Sequence, residues 1–282
     1  MSEQILNKEI KSDSSSSLAK LVGAGYVIIA GAGPGDPELI TLKLQRRIAE
    51  ADVIITDRLV NPSIIEDHAR KDAEIILVGK QGYNDASVSQ EEINELIVAY
   101  AKKGKTVLRL KGGDVAFFSN VLDELQSLAA NKIEFEIIPG ITAASGASAY
   151  AGIPLTARGY SQAVQFLTFN PNSYYSPDTW KKIATTNETL VFYMAAKNIT
   201  FLAELILRFS RKPSTPLAIV EQATTLHQQV HTTTLKDCAN DFAEKNFSSP
   251  SLVIIGEVVK LYQHFKWKQP AEIGSVFQEL EK

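Results

Sequence analysis

The sequence predicts an α/β fold in two domains, on three observations. Residues 26–138 alternate short apolar runs with amphipathic helical stretches, the pattern of a parallel sheet with helices on both faces. Past Pro139-Gly140 the chain grows richer in strand and in threonine, which predicts a second α/β domain built on a mixed sheet. The length of 282 residues suits two cores at roughly 150 residues per domain. The expected division is a disordered tail over 1–22, an N-terminal domain over 23–139, a C-terminal domain over 140–265 and a C-terminal tail over 266–282.

The first stretch is polar and carries Ser14-Ser15-Ser16-Ser17, too little apolar surface to order itself. Val27-Ile28-Ile29-Ala30 ends in glycines, as a buried parallel strand does. Asp36 as N-cap, Pro37 at N1 and Glu38 in the first turn open a helix expected over 38–51. Val53-Ile54-Ile55-Thr56 is the second strand, ending at Asp57, and Asn61-Pro62 opens the next helix. Ile75-Ile76-Leu77-Val78 is the third strand, ending in Gly79-Lys80. Ser89-Gln90-Glu91-Glu92 reads as a capping box. Behind it Ile93, Leu96, Ile97, Tyr100 and Ala101 keep helical spacing until Gly104. The fourth strand covers 106–110 and runs into Lys111-Gly112-Gly113-Asp114. A helix through Leu122 and Leu125 leads to a fifth strand in which Ile133, Phe135 and Ile137 alternate.

Residues 142–152 are almost all Ala, Ser and Gly, a helix smooth enough to lie against another backbone or a ligand. Further strands are expected at 163–169, 189–193, 217–221, 228–234 and 251–256, with a helix at 198–209 and a short one after Trp267.

The composition excludes several classes of function. The hydrophobic share is 45%, the charged share 22%, and 29 cations against 32 anions leave a net charge of -3. A dedicated nucleic-acid binder carries a basic stripe, which this balance argues against. The single cysteine, Cys238, forms no intrachain disulfide and points to a reducing, cytoplasmic setting. No window reaches the ~18 unbroken apolar residues of a membrane span. Glu3, Glu9 and Asp13 break any signal-peptide pattern.

Gly31-Ala32-Gly33-Pro34-Gly35-Asp36 joins the first strand to the first helix. It invites a dinucleotide reading, but the spacing is GxGxG followed by Asp, and Pro34 removes an N–H from the phosphate-binding turn. A tight turn beside an uncharged or cationic ligand edge fits better. Gly112-Gly113-Asp114 ends the fourth strand, and carboxyl ends of parallel strands are where open sheets bind ligands. Asp57 and Lys80 each follow a strand and belong at the same edge. A carboxylate and an amine facing one cleft suit proton transfer; the bland alternative is a surface ion pair. His227 and His231 fall in a strand-like segment that sets their rings about 13 Å apart. They cannot share one ion, so no metal is expected. Cys238 has no basic neighbour beyond Lys236 and reads as inert.

Taken in order, Gly31-Ala32-Gly33-Pro34-Gly35-Asp36, Asp57-Arg58-Leu59-Val60, Val78-Gly79-Lys80, Arg109-Leu110-Lys111-Gly112-Gly113-Asp114, Pro139-Gly140-Ile141-Thr142-Ala143 and Gly152-Ile153-Pro154-Leu155-Thr156 make a set. Tyr193-Met194 and Gly256-Glu257-Val258 complete it. The set resembles the uroporphyrinogen-III C-methyltransferase family of the tetrapyrrole methyltransferase superfamily over about residues 26–261. The resemblance implies the two-domain tetrapyrrole methylase fold, a homodimer, and S-adenosylmethionine held between the domains. Carried over by motif, the cofactor would touch Pro34, Gly112, Gly113, Asp114, Phe117, Thr142, Ala143, Met194 and Ala223. The family's proton acceptor falls on Asp57 and its proton donor on Lys80. The implied reaction methylates uroporphyrinogen III twice, through precorrin-1 to precorrin-2, for sirohaem or cobalamin synthesis.

A sulfonium methyl is already electrophilic, so the protein's main task is orientation. The carboxylate-rich substrate calls for local cations, for which Arg58, Lys80 and Arg158 are the candidates. The chain departs from the family on the substrate side. A Pro-Phe followed by a Phe-Gly-Arg-Gly-Gly-Glu-Glu run becomes residues 115–124 here, without the arginine. The usual His after Leu155-Thr156 is Ala157, and Thr-Gly-His is Thr168-Phe169-Asn170. The resemblance omits the dehydrogenase-ferrochelatase region of fused sirohaem synthases. The alternatives are a methylase of a later corrin intermediate, an RNA-modifying member of the superfamily, and a non-catalytic binder of S-adenosylmethionine or tetrapyrrole.

Overall fold

The computed structural model describes residues 25–78, 88–171, 175–268 and 274–277. The expected 1–22 tail, Gly79 and Lys80 lie outside the described residues, as does most of the stretch after Trp267.

Two five-stranded sheets organise the chain. The first has the order β3-β2-β4-β1-β5 and is parallel throughout. Its strands are β1 (Tyr26–Gly31), β2 (Val53–Thr56), β3 (Glu74–Leu77), β4 (Thr106–Lys111) and β5 (Glu134–Ile138). Central β1, β2 and β4 are buried on both faces because helices cover both, and only β4 brings charges there, with Arg109 and Lys111. On one face α1 (Leu42–Glu50) and α2 (Pro62–His68) press Leu44, Ile48, Ile64 and Ile65 onto Ile28, Ile54 and Leu108. On the other, α3 (Gln90–Lys102) and α4 (Val121–Ala130) press Ile93, Ile97 and Leu128 onto Val27, Ile29 and Val107.

The second sheet has the order β6-β7-β10-β8-β9. Its strands are β6 (Val164–Thr168), β7 (Thr189–Tyr193), β8 (Pro216–Glu221), β9 (Gln229–Thr234) and β10 (Ser251–Ile255). Only β6 and β7 pair in parallel; the other neighbours are antiparallel, so the sheet is mixed. The small-residue helix α5 (Ala143–Ala151) covers one face, with Ala144 and Ala147 against Val191, Val220 and Leu252. The other face buries α6 (Pro177–Thr185), α7 (Ile199–Arg208) and α8 (Cys238–Phe242) through Trp180, Leu202, Ile206 and Phe242. A final short helix, α9 (Tyr262–Phe265), follows β10. Among the described residues no helix is long and apolar enough to cross a membrane.

Local chemistry accounts for most boundaries. Ser89 and Glu92 form the expected capping box, each side chain bonding the other's backbone N–H. One expected helix divides in two. Asp36 caps only a 3-10 turn, Pro37–Leu39, and Thr41 starts α1 afresh by accepting the Leu44 N–H at 3.1 Å. The break falls at Ile40, whose backbone is extended (φ -75°, ψ 154°), and Asp36 is tied to the second half of the chain by Tyr150 and Thr224. Helix α6 was not expected, although Ser176-Pro177-Asp178 is a start signal of the same kind as Asp36-Pro37-Glu38.

Candidate active site

The carboxyl ends of β2, β4 and β1 lie side by side, so three loops leave the first sheet at one edge. Gly33 and Gly113 join two of these loops. Gly33 N donates to Gly113 O at 3.1 Å, and Gly113 N donates to Gly33 O at 2.7 Å. Both residues have left-handed backbones, φ +77° and +70°, which cost glycine nothing. A Gly113 Cβ would fit without a clash, with Ala143 N of α5 at an ordinary contact distance of 3.8 Å. By contrast, a Cβ on Gly31 would lie 2.5 Å from Gly113 O, so that glycine serves loop-to-loop contact.

Asp114 is buried, and its two oxygens accept backbone N–H groups of Ala116 at 2.8 Å and Gly140 at 2.7 Å. It therefore fixes the loop after β4 to the Pro139-Gly140 turn. Pro34 packs against the smooth face of α5, where a Cβ on Gly146 would meet the Pro34 ring at 2.5 Å. Of the two readings of the Ala/Ser/Gly helix, close packing is met here directly.

Aromatic side chains cluster where the loop after β4 meets the second sheet. Phe117 stands edge-on to Phe166 at 5.5 Å, and Phe118 tilts against Tyr193 at 4.8 Å. The Tyr193 hydroxyl is 2.6 Å from Thr142 Oγ1 and accepts the Ala144 N–H at 3.2 Å. This pins the end of β7 to the start of α5. Burial pushes the Tyr193 phenol up, and the bonds to Thr142 and Ala144 offset that only in part. Met194, next in the chain, is 66% exposed. Phe118, Asn120 and Met194 all have φ between +54° and +58°, backbone that non-glycine residues adopt rarely and that gathers at functional sites. Ala223 lies in the loop after β8, which meets the Gly33–Asp36 turn where Asp36 N donates to Thr224 Oγ1 at 2.9 Å.

Asp57 follows β2 directly and is held by an ionic network that sequence reading missed. Its Oδ1 accepts from Arg109 Nη2 at 2.6 Å. Arg109 is buried in β4, and its Nε donates to Glu124 Oε1 of α4 at 2.9 Å. Lys111 Nζ donates to the same oxygen at 2.8 Å. Burial works against the Arg109 guanidinium, but the Asp57 and Glu124 carboxylates outweigh it and raise its pKa. Burial and then the Arg109 charge push the Lys111 ammonium down, against the pull of Glu124. The missed signal was two cations inside a buried strand and an acid four residues before buried Leu128. Arg58 reaches across to Ser249 Oγ at 3.4 Å. Arg158 is exposed on the turn closed by Ala157 and Ser161. Lys80, the expected partner of Asp57, lies outside the described residues.

Other expectations change on inspection. Phe169 is buried against Trp180, so that departure from the family belongs to the core. Val115 is likewise core, leaving 116–120 as the part of its segment near the cleft. His227 precedes β9 instead of lying in it, and His231 pairs with Glu221 at 2.6 Å. Among the described residues no group of three or more His, Cys, Asp or Glu could hold a metal ion. Cys238 is buried, and burial first, then Asp241 and Glu204, push its thiol up to about 11.

The family model for tetrapyrrole (corrin/porphyrin) methylases matches residues 26–239. A sirohaem synthase from Pseudomonas fluorescens (strain SBW25) is 46% identical over 248 residues, covering 88% of this chain and 53% of that protein. A sirohaem synthase from Vesicomyosocius okutanii is 42% identical, covering 95% of this chain and 58% of that protein. The chain thus spans about half the length of the curated relatives it matches. Among solved structures, a uroporphyrin-III C-methyltransferase from Thermus thermophilus complexed with S-adenyl homocysteine is 33% identical. It aligns with a TM-score of 0.71 over 84% of this chain and 100% of its own. A cobalt precorrin-4 methyltransferase aligns at 0.74 with 23% identity over 83% of this chain and 95% of its own, a likeness of fold.

Proposed function

The chain belongs to the tetrapyrrole (corrin/porphyrin) methylase family, and on that premise we propose that it methylates uroporphyrinogen III from S-adenosylmethionine. Two ring carbons are methylated in turn, giving precorrin-1 and then precorrin-2 for sirohaem or cobalamin synthesis. The observation that carries the reading is the likeness, at 33% identity, to the Thermus enzyme complexed with S-adenyl homocysteine, which covers that whole chain.

The cleft suits such a donor. Gly33, Gly112, Gly113, Asp114, Thr142 and Ala143 carry no positive charge, so none would repel a sulfonium. Gly113, with no side chain, admits close approach, and Phe117 and Met194 offer exposed apolar surface. Pro34, Gly112, Gly113, Asp114, Phe117, Thr142, Ala143, Met194 and Ala223 would hold the donor. When bound, S-adenosylmethionine supplies a methyl group already activated at its sulfonium. The residues around it would orient the acceptor carbon toward the donor. Asp57, aimed by Arg109, takes up a proton from the acceptor, and Lys80 delivers one. Arg58 and Arg158 grip substrate carboxylates. The chain is taken to act as a homodimer in the cytoplasm, its domains meeting near residue 140.

The test is anaerobic incubation with uroporphyrinogen III and S-adenosylmethionine, followed by product mass and absorbance. A gain of two methyl groups supports the reading. Tight binding of S-adenosylhomocysteine without any methylation moves the acceptor to a later corrin intermediate. Light scattering on the eluted protein tests the dimer.

A further inference from the structure

The described residues after α9 return to the cleft from outside. Trp267 Nε1 donates to Ala149 O of α5 at 2.8 Å, and its ring lies 5.3 Å from that of Tyr150. Lys268 Nζ sits 4.8 Å from the centre of the Tyr150 ring and donates to Thr224 O at 3.1 Å. The Tyr150 hydroxyl in turn donates to Asp36 Oδ2 at 2.7 Å. Farther along, Gly274 O accepts from Gln222 Nε2 at 2.8 Å. Phe277 is buried, its ring so near the Gly35 backbone that a Cβ there would lie 3.2 Å from Cζ.

These contacts fall on two loops that belong to different sheets. Residues 33–36 follow β1 and contain Pro34; residues 222–228 lie between β8 and β9 and contain Ala223. Gln222 and Thr224 hold φ +45° and +72°, a backbone that persists only where its surroundings over-determine it. Asp36 N donates to Thr224 Oγ1 between the two loops, and the described residues of the returning chain add contacts to both. The match to the family model ends at residue 239, well before this segment.

We propose that Trp267, Lys268 and residues 274–277 form a strap that fastens the 33–36 loop to the 222–228 loop and so sets the affinity for the methyl donor. Lys268 is the central positioning residue, because it engages Thr224 directly and Asp36 through Tyr150. The role rests on the reading of this cleft as the S-adenosylmethionine site.

The experiment compares the full-length protein with Lys268→Met and Lys268→Arg. Titration calorimetry with S-adenosylhomocysteine should show roughly tenfold weaker binding for Lys268→Met, in the range of ordinary coupling between sites. Lys268→Arg should recover most of it. The KM for the donor should rise more than kcat falls. Amide hydrogen exchange in 33–36 and 222–228 should quicken in Lys268→Met. Unchanged affinity together with unchanged exchange overturns the strap, even if thermal stability drops. Should the unaltered protein bind no S-adenosylhomocysteine, the cofactor reading fails and the exchange decides alone. Faster exchange in both loops then supports the strap, and none overturns it.

Discussion

Replacing Glu124 with glutamine tests the buried network beneath Asp57. Glu124 is 1% exposed, and one of its oxygens accepts from both Arg109 and Lys111. Its other oxygen is buried with no hydrogen-bond partner, so its hold on the two cations comes through Oε1. Glu124→Gln keeps the shape and removes the charge. Two buried cations then face Asp57 alone, and breaking a buried pair in this way costs about 3 kcal/mol or more. The pH dependence has a definite sign. The folded pKa of Lys111 already lies below 10.5 through burial and the Arg109 charge, and Glu124 opposes that shift. Without Glu124 it falls further. Between the folded and unfolded pKa values the unfolded chain binds more protons, so stability rises with pH. The variant should therefore regain part of its deficit as pH climbs toward ~10. Urea unfolding followed by circular dichroism, at neutral pH and near ~9.5, measures both effects. A neutral-pH loss below about 1 kcal/mol, the scale of a solvated pair, or a deficit that widens with pH would refute the network.

Other substitutions probe the cleft and its supports. Asp57→Ala should cost at least about 100-fold in turnover at saturating substrates; wild-type turnover would remove Asp57 from proton transfer. Gly113→Ala should weaken S-adenosylhomocysteine binding with little loss of fold, since its Cβ meets no clash, at the price of a strained φ of +70°. Gly31→Ala should instead lower the unfolding free energy by about 1–3 kcal/mol through overpacking against Gly113 O; equal behaviour of the two variants in calorimetry and melting would contradict this division. Burial and then the bond to Asp36 push the Tyr150 phenol up to about 12, from 10.0. Its contribution to stability is complete below pH ~10 and lost as pH rises through ~12, so Tyr150→Phe should flatten the alkaline fall in melting temperature.

The first sheet was legible because each of its strands is a short apolar run followed by a helix start or a glycine. The same grammar located every strand of the second sheet within a residue or two. Most of what escaped lies in contacts between distant parts of the chain. Thr41 is a local cap signal, but with Asp36-Pro37-Glu38 taken as the start, one helix was read where there is a turn and a helix. Arg109 and Lys111 stood in a recognised motif, but their shared partner Glu124 sits on another element and needed three dimensions to find. The roles proposed for Asp57 and the cofactor residues came from the ordered motifs, that for Arg58 from the charge of the substrate, and the geometry adds what holds several of them in place. Phe169 looked like part of a substrate wall because it replaces a motif glycine. Its burial against Trp180 depends on α6, which was itself not expected.

The glycine pair at Gly33 and Gly113 has a consequence for how this cleft can change. The chain leaves β1 toward the face of α1 and leaves β4 toward the face of α4, so these adjacent strands mark the topological switch point of the sheet. Elsewhere such a point is a slot. Here two peptide hydrogen bonds clasp it shut, and its floor is made of backbone. Side-chain substitution cannot recolour a floor of peptide groups, so variation is left to the side chains beside it, Phe117, Phe118, Tyr193 and Met194. One half of this edge is held by the backbone's own hydrogen bonds, and the other is free to vary with its side chains.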